Sequence, residues 1–476
     1  MTLSSRSTTD TSAPQEPVSS AKETGQAITV DPKEVGRIAR AAFVGTALEW
    51  YDFFLFGTAS ALVFNHLIFA GVDGGTATLA AFATFGVGFL ARPLGAIIFG
   101  QIGDRLGRRP ALIISITMIG IATGVIGILP TYGTIGMWAP ILLTVLRLLQ
   151  GIAVGGEWGG ATTMAIEHAP PEKRGRYAAL VQIGSPVGTL LSSGAFALVL
   201  MLPESSVDSW GWRIPFLLAF PFLGIALWIR MNVEESPVFK ALEAAADGSD
   251  DSVSGRNSGS VAKKDAQAGP LKELITGYWP QLLMAIAASL LGIGGFFVMS
   301  TYVLSYATEA LHFERQTVVN ATLLGAVCQI FVNLYFGRLG EKLGPGRIIG
   351  WGGIATAVLS YPIWAMIDSG SAIALTAGVC IGVSAVTVTY SVSGLLLSEL
   401  FPAKMRYSGI AIGANVSGAI SGCLPFLATA LNTMSDSDQP SSVPGVLILA
   451  LVALITAAGG FLGERHRVKD DVVVQN

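Results

Sequence analysis

A ladder of long apolar stretches carrying a handful of ionisable residues constrains this chain more than any other feature. Glu49, Asp52, Arg92, Arg147 and Glu157 all stand in hydrophobic surroundings. A charge at bilayer depth is costly, so such residues face a bundle interior, pair with one another or line a polar path. A membrane helix needs about 20 mostly apolar residues. Twelve such segments are read, at roughly 38–65, 76–100, 111–129, 139–166, 176–200, 211–231, 279–305, 317–338, 347–367, 372–398, 407–430 and 443–463. Of the residues, 51% are hydrophobic and only 13% charged, about half the charged share of a soluble domain. The expected fold class is an all-α polytopic membrane protein.

The chain divides into a polar tail (1–36), six segments (37–231), a linker (232–278), six more segments (279–463) and a short tail (464–476). The first tail is rich in Ser, Thr and Pro and shows no signal-peptide pattern, and the linker is equally polar, so both read as disordered. The halves repeat faintly. Gly100, Asp104, Arg105 and Gly107 after the second segment match Gly337, Glu341, Lys342 and Gly344 after the eighth. Glu167, Pro170 and Arg174 after the fourth match Glu399, Pro402 and Arg406 after the tenth, with identical spacing. Two matches in corresponding places predict pseudo-symmetric six-helix halves, the architecture of many alternating-access carriers. Nearly all loop Lys and Arg fall in 101–110, 171–176, 232–276, 338–347 and the segment after 463, whereas the intervening connections hold only Arg315. The positive-inside rule therefore places both termini and the linker in the cytoplasm.

Glu49 and Asp52 lie three apart on the first segment and share a helix face. Two carboxylates close together in low dielectric resist ionising together, which suits one of them to carry a proton. The competing reading is a structural pair, each held by a neighbouring helix. Arg147 and Gln150 share a face of the fourth segment. Arg147 stays charged and needs a carboxylate, water or an anionic ligand. Glu157, ten residues on, can face the same cavity without touching Arg147, among glycines that permit close helix approach. Arg92 precedes Pro93, where the helix is expected to bend. Its partner is either Asp52 or a substrate carboxylate.

Further candidates for ligand contact are Tyr51, Gln182, Tyr302 and Tyr306 one turn apart, Gln329 and Asn333 one turn apart, and Tyr390. Each can equally satisfy a buried interhelical hydrogen bond. The charged loop residues Asp104, Arg105, Arg108, Glu167, Arg174, Glu341, Glu399 and Arg406 suit a cytoplasmic ion-pair latch between moving helices. No segment matches G-x-x-x-x-G-K-[ST], so a built-in ATPase is not expected. Cys328, Cys380 and Cys423 read as small core hydrophobes, and the four histidines lack metal-ligand spacing, so no metal site is expected. No basic tract with interleaved aromatics points to nucleic acid.

These residues carry a resemblance. GQIGDRLGRRP resembles the loop signature of the major facilitator superfamily, and RLLQG resembles its companion motif on the fourth helix. LEWYDFFLFG, ATFGVGFLARPLG, RLLQGIAVGGEWGGA and WGWRIPF are similar to the metabolite:proton symporter family, over about residues 37–463. That family includes bacterial carriers of shikimate, 2-oxoglutarate, citrate, dicarboxylates, proline and betaine, and the likeness is greatest to its shikimate branch. The resemblance implies a twelve-helix importer in the bacterial inner membrane, with the proton as coupling ion and no other cofactor. Its partners would be a small organic acid, a proton and lipid, with a functional monomer. By match to the family pattern, Asp104, Arg105 and Arg108 become the cytoplasmic gate, Arg147 the helix-four arginine, Glu157 the GGEWGG carboxylate and Asp52 a coupling site. Pro345 and Gly346 before Arg347 make the second loop a weaker match. About 13 residues follow the last segment, without the coiled-coil tail of osmosensing relatives. Carriage of a zwitterion such as proline or betaine, or export of a drug or metabolite on the same fold, are the alternatives.

Overall fold

The computed structural model describes residues 32–72, 74–106, 108–155, 180–231, 274, 276–402, 406–434 and 441–467. Among the described residues, nine helices are long and apolar enough to cross a bilayer, and a tenth, Ile113–Gly127, is apolar but shorter. Helices are what such a sequence must form. Lipid offers no hydrogen bonds, so the backbone has to satisfy itself within each crossing.

The first helix, α1 (Pro32–Ala59), continues through a π turn at Ser60–Phe64. It begins ahead of the apolar stretch that opens at 38, because proline fits the first helical position. Next come α2 (Gly74–Leu90) and α3 (Arg92–Leu106), which meet at Ala91. The break falls where Pro93, lacking an N–H, cannot bond back to the preceding turn. α4 (Arg108–Gly127), α5 (Trp138–Gly155), α6 (Gly184–Val199) and α7 (Ala219–Met231) complete the N-terminal set. The C-terminal set opens with α8 (Trp279–Leu290), which passes through π turns at Leu291–Gly295 and Val298–Tyr302 into α9 (Val303–Glu309). It continues with α10 (Arg315–Leu343), α11 (Pro345–Ile367), α12 (Ala372–Leu400), α13 (Arg406–Gly422), α14 (Leu424–Thr433) and α15 (Val443–Arg465). α9 and α10 run past the expected ends at 305 and 338, since their polar termini stay helical beyond the apolar stretch.

Large apolar side chains such as Leu198, Trp228, Phe331, Val358, Tyr361 and Leu447 face outward. Lipid, not a water-shielded core, is the environment that fits them. Within the N-terminal set α1 packs on α6, and α3 and α4 pack on α5. Within the C-terminal set α12 packs on α10 and α11, and α11 on α15. The sets meet where α6 touches α10 and where α2 touches α13 and α14. An aromatic seam fills the middle: Phe54 against Phe296 (centroids 4.8 Å apart), Phe89 and Phe85 against Phe297 (5.0 and 5.2 Å), and Trp50 against Tyr390 (6.0 Å).

Small residues bring α5 against the α2–α3 bend. A Cβ on Gly151 would strike the Gly88 carbonyl, and one on Gly155 the Arg92 carbonyl. Such close backbone approach is how helices associate in lipid without a hydrophobic drive. It also sets the depth at which Arg147 and Arg92 stand. Gly151→Val should therefore lower stability by about 1–3 kcal/mol through overpacking. Thermal unfolding in detergent reads this directly, and an unchanged midpoint would show that the contact is not tight.

Candidate functional site

The site grows from four residues of one helix. Glu49, Asp52, Phe53 and Phe56 of α1 follow one another at helical spacing, so each carboxylate has a phenylalanine one turn on. Two arginines from other helices take one of each. Arg92 of α3 places Nη2 3.5 Å from Glu49 Oε1 and lies 4.3 Å from the Phe53 ring centroid. Arg147 of α5 places Nη1 3.2 Å from Asp52 Oδ2 and lies 4.2 Å from the Phe56 centroid. Phe53 sits between the two cations, 5.0 Å from Arg147 as well, and Phe89 lies 4.4 Å from Arg92. Guanidinium over an aromatic face gains cation–π attraction, which strengthens when water is excluded.

Both pairs are buried. Arg147 is 0% exposed, Asp52 2%, Glu49 and Arg92 4% each. Asp52 is the more densely held. Gln150 Nε2 donates to its Oδ1 at 2.6 Å, and the Thr123 hydroxyl of α4 donates to the same oxygen at 2.5 Å. Gln150 Nε2 also reaches Thr123 at 2.9 Å, and Arg147 Nη1 donates to Gln150 Oε1 at 3.2 Å. The shared face read for Arg147 and Gln150 is thus used, and Asp52 is its target. Arg92 pairs not with Asp52, as expected from the sequence, but with Glu49, because Arg147 occupies Asp52. The two carboxylates do not share one site but divide between two cations.

The Glu49–Arg92 pair lies at the seam between the helix sets. Tyr390 of α12 stands close enough to interact with both charges, its ring edge-on to Trp50 and its hydroxyl without a hydrogen-bond partner among the described residues. Gln182 Nε2 donates to the Tyr390 carbonyl at 3.3 Å. On α10, Gln329 and Asn333 are buried. Among the described residues, the Gln329 Oε1 and both polar atoms of the Asn333 side chain have no hydrogen-bond partner. Tyr51 donates to the Pro215 carbonyl inside the N-terminal set. Tyr302 accepts from Asn432 Nδ2 at 2.7 Å, and Tyr306 donates to Asp368 at 3.0 Å. These three tyrosines already have structural partners.

Glu157, Glu167 and Arg174 lie outside the described residues, as do the side chains of Asp104, Arg105, Arg108 and Arg406. Glu341 lies near the end of α10. Glu399 is engaged by Arg467, whose Nε lies 2.7 Å from its Oε2. Arg467 also reaches Glu464 at 2.9 Å, and Glu464 accepts from the Gly346 N–H in the first turn of α11 at 2.8 Å. Burial pushes the Arg467 guanidinium pKa down, but Glu399 and Glu464 push it further up, so its net shift is upward. At the opposite end the two sets are tied together. Asn65 Nδ2 and the Thr78 hydroxyl donate to Glu309 at 2.9 and 3.0 Å, and Arg315 lies 3.6 Å from Glu204 and 3.9 Å from Asp208.

Thr123, Phe53 and Phe56 were not singled out from the sequence. The phenylalanines were legible in retrospect, as aromatics one turn beyond each acid in LEWYDFFLFG. Thr123 carried no signal, because its role depends on how α4 packs against α1. Among the described residues no group of His, Cys, Asp and Glu is placed to hold a metal ion.

A profile of the sugar (and other) transporter family matches residues 38–461. The shikimate transporter of Escherichia coli (strain K12) is 37% identical over 426 residues, covering 88% of this chain and 94% of that protein. The proline/betaine transporter of the same strain is 33% identical over 433 residues, covering 90% and 83%. A crystal structure of a D-xylose–proton symporter superposes with a TM-score of 0.66 at 17% identity, covering 92% of this chain and 98% of that one. The fold is the same, and the sequence likeness runs the length of the helical region. The chain belongs to the sugar (and other) transporter family, in the metabolite:proton symporter branch of the major facilitator superfamily, and it is a transporter and not an enzyme.

Proposed function

We propose that the protein is a proton-coupled importer of a small organic acid, shikimate or a related hydroxylated or dicarboxylic acid, working by alternating access. The observation that carries this reading is the charge balance of the buried site: two arginines against two carboxylates, with almost no water access. A proton on either carboxylate leaves one guanidinium uncompensated in a low-dielectric interior, which is expensive. A carboxylate substrate restores neutrality. Proton and anion therefore favour each other's binding, which is what coupling requires. The 37% identity to a shikimate transporter supports this substrate class.

In this mechanism Asp52 or Glu49 takes the proton, and Glu157 remains a further candidate. Arg92, at the seam beside Tyr390, meets the substrate carboxylate. Gln182, Gln329, Asn333 and Tyr390 offer hydrogen bonds to its hydroxyls, while Arg147, Gln150 and Tyr51 hold the N-terminal side. Twelve helices in two pseudo-symmetric halves, 37–231 and 279–463, rock about the aromatic seam, with 1–36, 232–278 and 464–476 as cytoplasmic tails and linker. Under this orientation in the bacterial inner membrane, the bonds from Asn65 and Thr78 to Glu309 close the outer end. Asp104, Arg105, Arg108, Glu167, Arg174, Glu341, Glu399 and Arg406 serve the cytoplasmic gate. One chain forms the whole path, so the monomer is the functional unit. The pH gradient drives uptake, and membrane potential adds to it when the protons carried outnumber the substrate's negative charges.

A zwitterionic substrate is the second reading, supported by the 33% identity to a proline/betaine transporter. Competition separates the two: excess shikimate should block uptake in the first case, and excess betaine in the second.

Asp52→Asn should abolish accumulation driven by a pH gradient in proteoliposomes while sparing counterflow, because exchange needs no net proton movement. Accumulation at the wild-type level would remove Asp52 from coupling. Glu49→Gln leaves Arg92 buried without its carboxylate and should cost about 3–5 kcal/mol of stability. The double variant Glu49→Gln/Arg92→Gln should regain most of that and still fail to transport. Thermal unfolding and uptake measured side by side check the pair, and additive losses would show that the two residues do not interact.

A further inference from the structure

A cavity of about 30 Å³ lies inside the N-terminal set, between α1, α4 and α7. Glu49 and Asp52 both line it, together with Thr123 of α4 and Ala219, Phe222 and Leu223 of α7. Its lining comes entirely from the N-terminal set and includes neither Arg92 nor Arg147. The cavity therefore reaches the two carboxylates from behind, on the side away from the seam with Tyr390. A space of roughly 10–15 Å³ is enough to hold a water, which needs two to four polar partners. Two carboxylates and the Thr123 hydroxyl supply them. Carboxylates three residues apart on a helix have Cβ atoms about 5–6 Å apart.

We propose that this cavity holds water that passes the coupling proton between Asp52 and Glu49, apart from the path the substrate takes; this rests on the symport reading above. The transfer balances without any redox partner. The O–H bond of the protonated Asp52 breaks as water accepts the proton. A second O–H bond of that water breaks as Glu49 takes it, leaving water and an Asp52 carboxylate. Asp52 is faced by Arg147 and Gln150 of α5 and Thr123 of α4; Glu49 is faced by Arg92 of α3 and Tyr390 of α12. Moving the proton from Asp52 to Glu49 restores the Arg147 pair and releases Arg92. The uncompensated positive charge thus shifts from the sealed pair to the one at the seam, where an anion can meet it.

Ala219 lines the cavity and belongs to neither ion pair, so it offers a way to fill the space. Ala219→Val adds two methyl groups there, and Ala219→Ser adds a single hydroxyl that can itself bond to water. Both are compared with wild type in proteoliposomes by gradient-driven accumulation and by counterflow of radiolabelled shikimate, or of radiolabelled betaine where competition places the chain in that branch. The expected result is that Ala219→Val slows accumulation by about a hundredfold or more, the scale of a lost proton-transfer step, with counterflow within about twofold of wild type. Ala219→Ser should keep both. Wild-type accumulation by Ala219→Val overturns the proposal, and so does parallel loss of accumulation and counterflow, which marks the cavity as packing alone. Failure of the wild type itself to accumulate either probe under a proton gradient would refute the symport reading instead.

Discussion

Everything in this structure is arranged around two arginines held in the middle of a helix bundle by two carboxylates of a single helix. Desolvating a guanidinium costs several kcal/mol even after relaxation. Arg147 and Arg92 are tolerable only because Asp52 and Glu49 stand within reach and phenylalanine faces line the remaining space. The close approach of α5 to the α2–α3 bend, set by Gly151 and Gly155, fixes where those cations sit. A bundle with this centre has little slack: removing or neutralising one charge changes the free energy of the whole site. That sensitivity suits a proton-coupled carrier, in which protonation has to change the energetics of the site.

The two pairs are not equivalent. Asp52 is bound by Arg147, Gln150 and Thr123, all within the N-terminal set. Glu49 and Arg92 lie against Tyr390 of the C-terminal set, at the seam where the two sets of helices meet. One pair is enclosed within the N-terminal set and the other borders the C-terminal set. The bonds from Asn65 and Thr78 to Glu309 hold one end of that seam closed, so the described conformation has the two sets engaged there.

The helices among the described residues were legible because lipid leaves an apolar chain no other choice, though the second segment is broken at Ala91 and several helices extend past their apolar stretch, as at Pro32 and Leu343. The charged residues were legible as a group for the same reason: Glu49, Asp52, Arg92 and Arg147 are conspicuous in apolar surroundings. Their pairing was not. Whether Arg92 meets Asp52 or Glu49 depends on the depth at which α3 crosses α1, and the Ala91–Pro93 break sets that depth through tertiary packing. Thr123 was invisible for a similar reason, since a threonine in an apolar helix usually bonds its own backbone, as Thr123 also does to Ile119. Tyr302 and Tyr306 share one face as the helical spacing implied, and their hydroxyls meet Asn432 and Asp368, partners outside their own helix that the sequence does not reveal.

The most direct test of the central claim, that a proton and a small acid neutralise this site together, is substrate-induced proton movement in proteoliposomes without an imposed gradient. A trapped pH-sensitive dye would be followed while shikimate, 2-oxoglutarate, citrate, proline and betaine are added in turn. The account predicts acidification of the lumen on adding one of the acids, saturating with its concentration and absent in Asp52→Asn. Uptake of a labelled acid with no accompanying proton movement would contradict it.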